Sequence, residues 1–328
     1  MNVLIVCHAG SSLGLGHLTR SIVVARALHD ELGANVQLLI QGEPVQRLDL
    51  KHYCHKFIEL GENLIDAVGE RTIQINARLV VLDLHPNLVP ENIERLLIAL
   101  RKAKCNVVAV DGLVNQRDNL DLIFIPSFCL SPLEAMVNAT PILFGWDCFL
   151  LNVKCLPVNW IPGRQVLALT GGSDATGLGN SFPERLNESL PVDAELHWVT
   201  GPYAKQPVLP VSPRIAMVNH QSPSGLDDLM VAAHYAITVY GVSFFELLYY
   251  GVPTVVFSPY GSKDDAELTA IAAEGVALVA RDEYDAVNKL KELMANDVLA
   301  VSLSQCARKR LSESGGHKFV QTVSALMA

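Results

Sequence analysis

Three short stretches of this 328-residue chain join glycines to side chains that can hold or move a proton, and each follows an apolar, β-branched run. The first is Gly14-Leu15-Gly16-His17-Leu18-Thr19-Arg20, behind residues 2–6; the second is Thr170-Gly171-Gly172-Ser173-Asp174, behind residues 165–169; the third is Gly241-Val242-Ser243-Phe244-Phe245-Glu246, behind residues 236–239. A glycine turn between a strand and a helix lets a ligand approach the backbone and leaves the first helical N–H groups unpaired, which suits a phosphate or another anion. Histidine exchanges a proton near neutral pH, so His17 is the candidate general base, with a structural cap of the helix as the competing reading. Asp83 and Asp111 each close an apolar run and would face the same crevice as His17; for either one alone, capping the next helix is the commoner role. His85, two residues after Asp83, shares that ambiguity. Ser173 and Thr176 add hydroxyls to the second turn. Ser243 and Glu246 match the S-x-x-E capping box, against which stands a reading of Glu246 as a bidentate acceptor for two ribose hydroxyls.

The elements that must position these residues follow a βαβ rhythm. Strands are expected at residues 2–6, 36–40, 79–83, 106–111 and 122–126. Leu18, Ile22, Ala25, Leu28 and Leu32 mark the helix after the first strand, and Ile93, Leu96, Leu97 and Leu100 another. This is the pattern of an open parallel sheet, in which ligands bind beyond the carboxyl ends of the strands. Two prolines and a glycine within residues 156–164 read as a linker. A second α/β unit follows, with strands at 165–169, 197–199, 215–218, 236–239 and 254–257, and a helix through Leu268, Ile271 and Ala272 that stops at Gly275. The resulting division is 1–161 for a first Rossmann-like domain and 162–328 for a second. The helical segment from about Asp282 onward is expected to pack its last helix back on the first domain.

Composition removes several classes. Twenty-five basic against 34 acidic residues give a formal charge of −9, and no Lys/Arg-rich run offers a face for nucleic acid. No stretch approaches the roughly 18–20 apolar residues of a membrane span, and the N-terminus lacks a basic region and cleavage site, so a cytoplasmic protein is expected. The seven cysteines are scattered without a C-x-x-C pair and read as core residues in a reducing compartment. A nicotinamide fingerprint fails at its third glycine, where Thr19 stands, and at the end of the second strand, which runs into Gln41-Gly42-Glu43. No Asp-x-Asp triplet demands a metal bridging a diphosphate, and no metal or cofactor is expected.

Taken together, Gly14-x-Gly16-His17-x-x-Arg20, Gly171-Gly172-Ser173-Asp174 and Gly241-x-Ser243-x-x-Glu246 ahead of Gly251-Val252-Pro253 resemble the nucleotide-sugar enzymes of the GT-B superfamily. Within it the chain is most similar to the UDP-sugar hydrolase of pseudaminic acid biosynthesis and its spore-coat-polysaccharide relatives, a likeness that takes in Asp83, Asp111 and Phe144-Gly145. The resemblance implies two doubly wound α/β domains facing a cleft, 1–161 catalytic and acceptor-binding and 162–328 nucleotide-sugar-binding. It also implies His17 as the base that activates the attacking hydroxyl or water, Gly171, Gly172 and Ser173 as the diphosphate loop, and Glu246 on the nucleoside. Two positions depart from the hydrolase pattern: His85 stands where a tyrosine is usual, and Lys263-Asp264 where an Asn-Gln pair is usual. The expected catalytic set is His17, Asp83 and Asp111, with either aspartate orienting His17 or binding sugar hydroxyls. The expected substrate-binding set is Gly14, Gly16, Arg20, His85, Gly171, Gly172, Ser173, Asp174, Gly241, Ser243, Glu246 and Asp264. The expected reaction is transfer of a sugar, held as a UDP-acetamidosugar, to a glycan or nonulosonate-pathway hydroxyl. The alternatives are hydrolysis of the same substrate, and a sensor that binds it without turnover.

Overall fold

The structure is a computed structural model that describes residues 1–130 and 140–327. Two compact units divide the chain: residues 1–152 with 314–328, and residues 153–313. The first division falls between Asn152 and Val153, where the sequence reading puts its boundary at 161/162. The proline-containing stretch that follows lies in the second unit, where Trp160 Nε1 donates to the His234 carbonyl at 2.6 Å.

The first unit runs β1 (Asn2–Ala9), α1 (Gly16–Leu32), β2 (Asn35–Gly42), β3 (Cys54–Ile58), α2 (Leu64–Ile75), β4 (Leu79–Asp83), α3 (Ile93–Lys102), β5 (Asn106–Val110), β6 (Leu122–Phe124) and β7 (Ile142–Leu143). All pairings are parallel, in the order β3-β2-β1-β4-β5-β6-β7. Leu4, Val6, Val80 and Leu82 point to the side covered by Val68 of α2 and Leu96 of α3. Val3, Ile5, Val81 and Val108 point to the other side, against Val23, Val24 and Leu28 of α1. Burial on both faces explains why these strands read as unbroken apolar runs. β3 is a finding that the sequence did not announce. Cys54, His55 and Lys56 are exposed because the strand forms the sheet edge, so it lacks the two-sided apolar signal.

The second unit runs β8 (Gln165–Leu169), α4 (Phe182–Ser189), β9 (Glu195–Thr200), β10 (Ala216–Gln221), α5 (Asp227–Ala232), β11 (Tyr235–Val239), α6 (Val242–Tyr250), β12 (Thr254–Phe257), α7 (Asp265–Glu274), β13 (Leu278–Val279), α8 (Glu283–Met294) and α9 (Asp297–Arg310). Its parallel sheet is ordered β10-β9-β8-β11-β12-β13. Val166, Ala168, Trp198 and Ile237 pack on Phe182 and Leu186 of α4 and on Val287 and Leu290 of α8. A final helix, α10 (Gly316–Met327), belongs to the first unit, where Phe319, Val320 and Val323 join the core beneath α1. Both units are therefore doubly wound, and no helix among the described residues is long and apolar enough to cross a membrane.

In each sheet the strand order reverses at the first strand of the unit, between β1 and β4 and between β8 and β11. Crevices at such switch points are where open α/β sheets bind ligands. The end of β2 lies close against the end of β1. Gly42 has φ +135°, and a Cβ there would overlap the Ala9 carbonyl at the end of β1. A Gly42→Ala change is expected to cost about 3 kcal/mol or more, combining strain at a disallowed φ with displacement of β1. Chemical denaturation measures this, and a variant within about 0.5 kcal/mol of wild type would show that β1 and β2 can separate freely there.

Candidate active site

The chain leaves β1 at Ala9, turns through Gly10 to Gly14, where φ is +75°, and enters α1 at Gly16. The turn is held by the Gly14 N–H donating to the Gly10 carbonyl at 2.8 Å. Glu43, just past β2, accepts from the Ser11 N–H at 2.9 Å and the Ser11 hydroxyl at 2.8 Å. The first α1 amide bonded back along the helix is that of Thr19, to the Leu15 carbonyl. Leu15 caps the helix without a side-chain hydrogen bond, so His17 sits in the N-terminal turn, whose amides have no partner further back in the helix.

His17 and Arg20 are three residues apart on α1 and share a face. Both reach Asp83, the last residue of β4, which is paired in register with Cys7 of β1. The Asp83 side chain is 1% exposed. Its Oδ1 lies 2.7 Å from His17 Nδ1 and 2.7 Å from Arg20 Nη2, and its Oδ2 accepts from Arg20 Nε at 3.1 Å. Arg20 Nη1 donates to Asp111 Oδ2 at 2.5 Å. Asp111 follows β5 in a left-handed conformation, φ +55°, and its side chain is 40% exposed. Burial pushes the Asp83 carboxyl upward, but the Arg20 charge and the His17 hydrogen bond together outweigh it and hold the group below its usual range. Burial likewise pulls Arg20 down, and the two carboxylates more than restore it.

This arrangement decides the tautomer of His17. An ionised carboxylate only accepts, so the 2.7 Å contact puts the imidazole proton on Nδ1. Arg20 Nη2, 3.0 Å from the same nitrogen, is then charge packing and not a donor to it. The lone pair is left on Nε2, which makes no hydrogen bond among the described residues. Two carboxylates and one guanidinium give the groups around His17 a net charge of −1. Of the two aspartates the sequence could not rank, Asp83 holds His17 and Asp111 holds Arg20.

His85 stands beside this group, its ring 5.7 Å from that of His17 at 64°. Its Nδ1 accepts from the Asn87 N–H at 3.3 Å, capping a short 3-10 turn over Pro86–Leu88. Its own N–H donates to His8 Nδ1 at 2.8 Å. His8 lies fully buried in β1, and its Nε2 faces Gln41 Oε1 at 3.2 Å. Burial pulls His8 down to about 4. His8, Gln41 and Glu43 were not expected at the site. The available signal was polar side chains in or beside strands otherwise built from apolar residues.

In the second unit, Gly171 (φ +86°) and Asp174 (φ +45°) shape the turn after β8. The Gly172 carbonyl accepts from the Tyr203 N–H at 3.0 Å, and Gly201 packs so closely on Gly172 that a Cβ would overlap it. Asp174 is spent on the turn itself, accepting from the Leu178 N–H at 3.0 Å and the Gly179 N–H at 2.8 Å. β11 lies beside β8, with Thr238 in register with Leu169, so the start of α6 neighbours this turn. The capping box does not form. Gly241 is the cap and makes no side-chain bond, Ser243 lies inside the helix, and its hydroxyl makes no hydrogen bond among the described residues. Glu246 is buried, at 7% exposure. Asp264 accepts from the Ser258 hydroxyl at 2.5 Å ahead of α7. Among the described residues no group of three His, Cys, Asp or Glu side chains is placed to hold a metal ion.

No protein-family model matches the chain, and no curated protein matches it. Among solved structures it is similar to MurG of Acinetobacter baumannii, at 14% identity and TM-score 0.64 over 99% of this chain and 100% of that one. It is similar to the spinosyn rhamnosyltransferase SpnG complexed with thymidine diphosphate, at 14% and 0.62 over 99% and 100%. It is also similar to the UDP-GlcNAc 2-epimerase of Neisseria meningitidis bound to UDP-GlcNAc, at 11% and 0.62 over 100% of both. These likenesses establish the fold, two Rossmann-like α/β units of the GT-B type.

Two outcomes follow for the buried charges. Arg20→Met leaves Asp83 buried without its cation and is expected to lose roughly 3–5 kcal/mol of stability, read by urea unfolding; a loss below about 1 kcal/mol would mean that Asp83 is not ionised. His8 is held neutral, so between its unfolded value of 6.5 and its folded value of about 4 only the unfolded chain takes up the proton. Stability is therefore complete above pH 6.5 and falls as the pH drops toward 4, and His8→Asn should flatten that limb in a Tm-against-pH series.

Proposed function

We propose that the chain is an enzyme that cleaves a nucleotide-diphosphate sugar and transfers the sugar to a hydroxyl acceptor in surface-glycan synthesis. The observation that carries this reading is the Asp83–His17 pair, 2.7 Å apart at the β1/β4 switch point, which leaves a basic Nε2 on His17. Binding alone has no use for an imidazole whose tautomer is set by a buried, guanidinium-braced carboxylate.

In this mechanism the incoming hydroxyl oxygen attacks the anomeric carbon, and its proton passes to His17 Nε2. Asp83 orients the ring and stabilises the imidazolium that forms. The bond from the anomeric carbon to the diphosphate oxygen breaks, and the electron pair leaves with the diphosphate. The amides of the Gly171-Gly172-Ser173 turn and the N-terminus of α6 are suited to that negative charge. Glu246 serves the nucleoside, and Gly14, Gly16 and His85 line the sugar side. A uracil nucleotide carrying an acetamidosugar is the substrate class we favour. Support comes from the motif pattern and from a similar structure that is described as bound to UDP-GlcNAc. Hydrolysis, with water in place of the hydroxyl as in pseudaminic acid biosynthesis, uses the same base.

The test is UDP release from a panel of UDP-acetamidosugars, with and without glycan acceptors, by wild type and His17→Ala. Acceptor-dependent release that falls by roughly 10²–10⁴ in the variant is the expected result. Full release in water alone would replace transfer by hydrolysis, and tight UDP-sugar binding without release would make the chain a sensor.

A further inference from the structure

The buried histidine His8 has no part in the mechanism above, yet its geometry leads directly to His17. Its side chain is fully buried in β1. The backbone N–H of His85 donates to its Nδ1 at 2.8 Å, which requires that nitrogen to be the unprotonated one. The proton is then on Nε2, which donates to Gln41 Oε1 at 3.2 Å. Gln41 is itself oriented unambiguously, because its Nε2 donates to the carbonyls of Glu59 and Glu62 at 3.1 and 3.0 Å. An amide nitrogen facing two carbonyls leaves the amide oxygen for His8. Every proton in this chain from the β3–α2 connection to the start of the Pro86–Leu88 turn is thereby assigned.

The far end of the chain is the ring of His85, set edge-to-face against His17. Among the described residues His17 is hydrogen-bonded at Nδ1 alone, and one such bond leaves the ring free to tilt about the contact with Asp83. The neighbouring His85 ring limits that tilt. We infer that His8 is a positioning residue. By accepting the His85 amide it holds the His85 ring against His17 and so aims the His17 Nε2 lone pair. This inference rests on the reading of His17 as the base, and its test includes an arm that needs no turnover.

The side chains of Asn and Gln separate the two bonds of His8. Asn places an acceptor oxygen where Nδ1 stands, and Gln places its amide nitrogen where Nε2 stands. His8→Asn therefore keeps the bond to His85, whereas His8→Gln keeps the bond to Gln41 and loses the one to His85. The inference expects His8→Asn to retain kcat within about threefold and His8→Gln to lose kcat roughly ten- to a hundredfold with KM little changed, the signature of a misaimed base. Imidazole ¹⁵N–¹H NMR on the apo protein reads the same point without any substrate. The His17 ring signals should shift in His8→Gln and stay at their wild-type positions in His8→Asn.

The inference is overturned if both variants behave alike in the NMR experiment, or if His8→Gln keeps wild-type kcat and His17 signals. If the wild-type protein releases no UDP from any sugar nucleotide, the functional proposal fails while the NMR arm still decides this one.

Discussion

A carboxylate with almost no exposure, at the carboxyl end of a central strand, is the constraint around which the first unit is built. Left alone, an ionised Asp83 would be several kcal/mol too costly to bury. α1 answers with both of its partners from one face, a guanidinium bound through two nitrogens and an imidazole. That choice fixes the rotation of α1 over the sheet, and Asp111 takes the donor that Arg20 has left. The left-handed backbone at Asp111 is one local cost of completing this cluster. The same pairing that satisfies the buried charge decides which nitrogen of His17 carries its proton. The burial of Asp83 and the tautomer of His17 thus depend on one set of contacts.

The two units apply one topological device to different chemistry. In each, the first strand sits at the point of reversal, a glycine-bearing turn follows it, and a helix begins at the crevice. The first unit fills that place with groups that exchange or balance protons. The second offers amides, a short hydroxyl side chain and the uncapped start of α6, while its nearest carboxylate, Asp174, braces the loop by accepting from two of its amides. Backbone amides respond to charge without changing protonation, which suits a leaving anion better than a nucleophile.

The central strands were legible because parallel sheets are covered on both faces, so β1, β4, β5 and β8 appear as unbroken apolar runs. β3 was not, because an edge strand buries one side at most and its exposed Cys54, His55 and Lys56 break the pattern. The S-x-x-E motif misled in a different way. It matches a local rule, but the helix starts one residue after Gly241, and a glycine needs no side-chain bond to begin it. Asp174 reads as a ligand-facing carboxylate from its place after Gly-Gly-Ser. Only the path of the following loop shows that each of its oxygens accepts from a backbone amide of that loop.

The sequence by itself determined the alternation of strands and helices, the position of the glycine turns at strand ends, and His17 as the imidazole at the first of them. These are local properties, written in hydrophobic period and in the special backbone freedom of glycine. Only the tertiary structure decided that Asp83 and not Asp111 holds His17, that Arg20 joins the two carboxylates, and that His8 and Gln41 reach the site through the backbone of His85. The reason is sequence distance. His17 and Asp83 are 66 residues apart and Arg20 and Asp111 are 91 apart, and nothing in either neighbourhood encodes the pairing. The order of strands in the sheet brings them together.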